Sequence, residues 1–152
     1  MYLTKEELKS VIYDYQIEQI TEDDDDIVEM AIAAAIEEVK SYFTANYQHR
    51  FTDGRYVYDV DAIFAAEYED RNPLVLQMTK TVAVWHVIQL CNADVIYEHV
   101  KERYDRAVAW LKQLANGEVT LTSLPRLDPN SADNPNNRDL FIYGSRPKFN
   151  YE

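Results

Sequence analysis

The chain has 152 residues, 47% of them hydrophobic, and a formal net charge of −12. This length and apolar content predict one domain with a core of its own. A single cysteine, Cys91, excludes an internal disulfide framework, and the polar residues that follow Met1 do not resemble a secretory leader. We therefore expect a protein that stays in a reducing cytoplasm, or in a particle assembled there.

The negative charge is concentrated in the first half of the chain. Residues 1–70 carry 18 acidic and five basic side chains, whereas residues 71–117 carry a net charge of +2. An acidic surface repels phosphate, so non-specific binding of nucleic acid is not expected. Such a surface suits a protein that meets a basic partner, or one that lets DNA pass without retaining it.

The N-terminal part predicts two helices separated by an acidic run. Residues 4–15 open with a capping-box pattern from Thr4 to Glu7. Residues 23–26 are four consecutive aspartates, but a calcium loop needs alternating ligands and a glycine, both of which are missing here. We interpret the run as the cap of a helix over residues 27–46, since acidic groups stabilise a helix N-terminus.

Residues 48–70 interrupt the helical pattern. Asp53 and Gly54 are typical of a type I′ turn and predict a β-hairpin over residues 50–58, with a short helix over residues 62–68. An isolated hairpin is only marginally stable. We therefore expect this arm to rest on the core or on a partner.

Two apolar helices form the centre of the predicted fold. The first covers residues 72–91, with Asn72 as N-cap and Pro73 at the first helical position. Its second half is apolar on nearly all sides, which indicates burial. The second covers residues 94–116 with a one-sided apolar pattern, and Gly117 is the expected left-handed C-cap.

The C-terminal residues change in character. Residues 118–121 predict a short strand, and a loop rich in proline and asparagine then leads to an apolar and aromatic end. This end either docks on another subunit or folds back on its own domain. The side chains that we predict to contact a subunit or a partner are Tyr56, Tyr58, Phe141, Tyr143, Arg146, Phe149 and Tyr151.

The residue pattern contains no recognisable catalytic, cofactor or metal site. His49, His86 and His99 have no zinc-type spacing with one another or with the cysteine, so we expect satisfied or surface histidines. Neither a phosphate-binding glycine loop nor a nucleophile elbow is present. The prediction is therefore a non-enzymatic protein without cofactors. Its fold class is mainly α, a small bundle of four to five helices over residues 1–121 that carries the hairpin arm at 48–70, with an extended arm over 122–152.

The order of these elements resembles a known family. Residues 31–43 read Ala-Ile-Ala-Ala-Ala-Ile-Glu-Glu-Val-Lys-Ser-Tyr-Phe, and residues 103–111 fit Arg-Tyr-Asp-x-Ala-x-x-Trp-Leu before Gly117. Over residues 1–47 and 74–121 the chain resembles the Mu-like phage and prophage proteins of the head–tail joining region, a connector (head-completion, neck) family. More loosely, it resembles the helical connectors of other tailed phages.

The resemblance implies a structural subunit of a virion. Such a subunit would form a dodecameric ring below the portal at the head–tail junction. It would contact the portal protein and the next neck or tail component, and genomic DNA would pass through its lumen without specific binding. No membrane is implied. The hairpin and the tail depart from the family pattern, so contacts made there are not carried over.

Two other functions remain open at this stage. One is an acidic soluble regulatory or decoy protein that binds a basic partner, which predicts a stable monomer or dimer and salt-sensitive binding. The other is an enzyme with an unrecognised site, which needs a pocket with converging titratable groups.

Overall fold

A computed structural model describes residues 1–44, 56–90 and 97–128. This part of the chain is mainly helical, as predicted. The α-helices are α1 (Asp14–Thr21), α2 (Asp25–Thr44), α3 (Val60–Ala65), α4 (Pro73–Leu90) and α5 (Tyr97–Ala115), and 3₁₀ helices cover Lys5–Ser10 and Tyr68–Asp70.

Helix α4 forms the centre of the molecule. Between Leu74 and Ile88 only Gln77 is exposed, because the helix has no polar face to turn toward water. Helix α2 packs along α4, and α5 packs against both. The prediction of a helix buried on most sides is confirmed. No helix in the described ranges has the length and apolar character needed to cross a bilayer.

The predicted ends of this helical pair are confirmed where the structure describes them. The Asn72 carboxamide oxygen accepts hydrogen bonds from the backbone N–H groups of Leu74 (3.0 Å) and Val75 (3.1 Å). Gly117 has φ 78°, and its N–H donates to the Leu114 carbonyl over 3.1 Å. This left-handed residue ends α5 in a Schellman-type cap. The corner between the two helices and Cys91 lie outside the described residues.

The prediction of one helix over residues 4–15 is wrong. The chain forms the 3₁₀ helix Lys5–Ser10, breaks, and starts α1 at Asp14. Leu8 and Ile17 are both fully buried. In one continuous helix these two side chains, nine positions apart at about 100° per residue, would point in opposite directions. The break places both of them in the same core.

The acidic run acts as a helix cap, as predicted. Glu22 (φ 53°) and Asp23 (φ 62°) take left-handed conformations and turn the chain after α1. The carboxylate of Asp24 accepts a hydrogen bond from the backbone N–H of Asp26 over 3.0 Å. Helix α2 consequently begins at Asp25, two residues before the expected start.

The structure does not support the predicted β-hairpin arm. Tyr58 forms a single antiparallel bridge with Arg126, and the Leu127 N–H donates to the Val57 carbonyl over 2.9 Å. The partner of this segment is therefore the C-terminal part of the body. Asp59 then caps α3 by accepting from the Ala62 N–H, which ends the extended segment. The turn at residues 53–54 lies outside the described residues.

The predicted strand over residues 118–121 is also wrong, since these residues form bends and coil without a ladder partner within the described ranges. The Leu121 N–H donates to the Tyr58 hydroxyl oxygen over 2.9 Å. A side chain from the core thus supplies the hydrogen-bond partner that a neighbouring strand would otherwise provide.

An ion pair fixes the N-terminus to the start of α4. Arg71 donates to both carboxylate oxygens of Glu7, one of them at 2.9 Å, and to the Tyr2 carbonyl at 2.7 Å. The Arg71 side chain is only 10% exposed. Its hydrogen bonds lower the pKa of Glu7 to about 2 from the ordinary 4.5. The folded protein therefore strongly favours the ionised carboxylate.

We predict that Glu7→Gln lowers the free energy of unfolding at neutral pH by roughly 1.5–3 kcal/mol, the range for hydrogen bonds to charged groups. The folded pKa is depressed, so this contribution is present above pH 4.5 and is lost as pH falls toward 2. Urea unfolding of wild type and variant between pH 2 and 7 measures the difference. The exposed Glu6→Gln is the control. A pH-independent gap between wild type and Glu7→Gln would contradict the assignment.

Candidate functional site

Tyr58, predicted to contact a partner, lies inside the subunit. It is 2% exposed. Its ring packs edge-on against Phe43, with 5.6 Å between the ring centroids, and its hydroxyl binds the backbone of Leu121. The burial raises the pKa of the Tyr58 phenol above its ordinary value. Tyr58 is therefore an anchor for the chain that follows α5.

Tyr56 lies at the surface beside this anchor and is half-buried. Its ring is nearly perpendicular to that of Tyr58, at 88°. The guanidinium carbon of Arg126 is 3.9 Å from the centroid of the Tyr56 ring, within the range of a cation–π contact. The contact between Tyr56 and Arg126 thus covers the outer side of the β-bridge that joins Tyr58 to Arg126.

These contacts create a surface that we call the exit edge, formed by residues 56–59 and 125–127. The Asp59 N–H donates to the Pro125 carbonyl over 3.0 Å, and the Asn72 amide donates to the Ser123 hydroxyl over 3.0 Å. Tyr56 of this edge is the first described residue after residues 45–55, and the described chain ends next to the edge at Asp128. The structure thus brings the origins of both predicted arms together, which sequence reasoning had not foreseen.

The remaining predicted contact residues, Phe141, Tyr143, Arg146, Phe149 and Tyr151, lie outside the described residues. Their role in partner contacts stays a prediction. The signal that sequence reasoning missed is Arg126, a single basic residue next to a proline. Its contact with Tyr56 joins residues 70 positions apart, and no local pattern reports such a pair.

A second polar cluster joins the three long helices. Glu38 of α2 contacts the His86 imidazole of α4 at 2.6 Å and accepts from the Tyr104 hydroxyl of α5 at 2.8 Å. The Tyr104 ring stacks on Trp85, with 5.0 Å between centroids. Burial, together with the hydrogen bond to the carboxylate, raises the Tyr104 pKa well above its ordinary value. His86 is thus a satisfied histidine, as predicted.

The chemistry of this cluster is that of a structural tie. Both oxygens of Glu38 are engaged, one by an imidazole and one by a phenol. Glu38 continues the buried positions Ala31 and Ala35 at helical spacing, and this pattern could have placed it at the helix interface. Within the described ranges, no group of three or more potential metal-binding side chains comes together.

We predict that Tyr104→Phe destabilises the fold by about 1–2 kcal/mol, since it leaves one oxygen of a half-buried carboxylate without its donor. Urea unfolding at neutral pH measures the change in free energy. Tyr15→Phe is the matched control, because Tyr15 is 56% exposed and its ring stacks on another exposed tyrosine, Tyr13. Equal effects of the two substitutions would contradict the role given to the cluster.

Comparison with known proteins gives a family for this fold. A family model described as "Bacteriophage Mu, Gp36" matches residues 2–138. The match runs through residues 48–70 and into the tail, so it extends beyond the parts on which the resemblance rested. No curated protein and no solved structure matches the chain. The predicted Mu-like phage or prophage origin is confirmed, and the chain belongs to the bacteriophage Mu Gp36 family.

Proposed function

We propose that this protein is a non-enzymatic structural subunit of a tailed-phage virion. In this proposal it forms a ring, dodecameric by analogy with connectors, at the head–tail junction. The ring lies below the portal protein and above the next neck or tail component, and the genome passes through its lumen. Membership of the Mu Gp36 family supports the assignment to a phage particle.

The exit edge is the observation that carries the proposal. A connector subunit needs a folded body and chain segments that reach neighbouring components. Here the two segments that adjoin the exit edge, residues 45–55 and 129–152, contain Tyr47, Tyr143 and Tyr151. With Tyr56 and Tyr58 of the edge itself, five of the 12 tyrosines fall in this part of the chain. Tyrosine is favoured where a side chain is partly buried and partly hydrated, as at interfaces. The buried Tyr58 gives these segments a fixed origin.

The charge distribution supports the passage of DNA. Residues 22–26 are all acidic and all exposed, at the corner between α1 and α2. The chain as a whole carries −12. A lumen lined by such groups would repel phosphates and would not hold the genome in place, particularly at low ionic strength, where screening is weak.

Deletion of the coding sequence from the phage or prophage tests the proposal. We expect filled heads and separate tails to accumulate, because the joint between them is missing, and electron microscopy of lysates counts both. Complementation with the wild-type chain should restore joined particles. Complementation with a chain that carries both Tyr56→Ala and Arg126→Ala should give at least tenfold fewer joined particles than the wild-type chain. A chain with Lys112→Ala, at an exposed position on α5, should give as many joined particles as wild type.

Normal joined particles in the deletion strain would contradict the proposal. If the protein were also absent from particles and bound a basic protein in a salt-sensitive manner, the decoy function would replace it. Circular dichroism of the purified variants controls for folding.

A further inference from the structure

A groove lies on the body between the 3₁₀–α1 turn and helices α4 and α5. Its volume is about 460 Å³. Ile12 and Val84 are buried at its base, and Val11 and Val100 are half-buried at its sides. The groove therefore offers an apolar surface of a size that suits a few large side chains.

The rim of this groove is basic, which is unusual in so acidic a chain. Lys9, His99 and Arg103 line it, all of them exposed, and none of the described residues that line it is acidic. Arg103 donates to the Val11 carbonyl over 3.3 Å, which holds its guanidinium beside the groove. Lys9 pairs with Asp14 over 2.9 Å, which offsets its charge, so the positive charge that the rim offers to an occupant lies mainly on Arg103. An occupant should thus combine apolar side chains with a carboxylate.

We propose that the groove binds residues 139–143 of a second copy of this chain. This segment reads Asp-Leu-Phe-Ile-Tyr, a carboxylate followed by four apolar or aromatic side chains. Leu140 and Phe141 match the apolar base of the groove, and Asp139 matches its basic rim. The pairing buries apolar area and brings opposite charges together, which fixes the orientation of the segment.

The length of the tail allows this contact between copies. Ten residues, 129–138, separate the described C-terminal end from Asp139, and ten extended residues span at most about 33–36 Å. Ser123, five residues before the described C-terminal end, contacts Asn72, which precedes α4, whereas the groove contacts α4 at Thr81 and Val84. That separation is about 14–18 Å along the helix axis. The reach of these ten residues is longer than that separation.

Such a contact uses different surfaces on the two partners. Heterologous interfaces of this kind generate a ring when the rotation between subunits closes. The inference rests on the proposed ring and specifies a contact that joins its subunits, with the tail of one copy in the groove of the next.

Photo-crosslinking in assembled particles tests the inference. Benzoylphenylalanine replaces Phe141 in the full-length chain, and the crosslinked products are separated on denaturing gels and mapped by mass spectrometry. We expect products of twice the chain mass, joined to peptides that contain Val11 or Val100. Arg103→Glu should lower the yield at least fivefold, whereas Lys112→Glu, on the same helix and outside the groove, should keep it within twofold.

Three results would overturn the inference. Crosslinks confined to single chains would show that the tail binds its own body. Crosslinks to another component, or to other peptides of this chain, would show that the groove is not its site. An unchanged crosslinking yield in Arg103→Glu would show that the basic rim does not contribute to binding of the tail. In each case, if joined particles contain the protein, the proposed function still holds. If the protein is absent from particles, the proposed function itself is contradicted.

Discussion

The fold depends on the need to cover α4 on most of its sides. An 18-residue helix without a polar face cannot lie at a surface, and each of its buried valines contributes roughly 1.5–3 kcal/mol when removed from water. Helices α2 and α5 cover most of it, and the N-terminal segment packs against the remainder. Polar ties at Glu38 and Arg71 then fix the covering elements in position.

This constraint explains which parts of the fold could be predicted. The caps at Asn72 and Gly117 and the burial of α4 follow from local sequence, so they were predicted correctly. The break before α1 could not be predicted, because it depends on a core that Leu8 and Ile17 share. The predicted hairpin is not supported for a similar reason, since the partner of Tyr58 is Arg126, 68 residues further along the chain.

In the candidate site too, local sequence indicated some features and missed those that depend on residues far apart in the chain. The abundance of tyrosine indicated interfaces, but composition could not separate Tyr58, which anchors the core, from Tyr56, which lies at the surface. The structure makes that distinction through burial. It also shows that the described chain ends beside the exit edge and that, elsewhere, the body has an apolar groove with basic residues at its rim. A subunit with both features has the parts that the proposed ring requires.

The most direct test of this account is a cryo-electron microscopy reconstruction of the head–tail junction in particles of the encoding phage. The account predicts a ring below the portal, built from the helical body described above. In that ring the exit edge, at Tyr56 and Arg126, faces a neighbouring subunit or component. A junction without this protein, or a ring in which the exit edge faces only solvent, would contradict it.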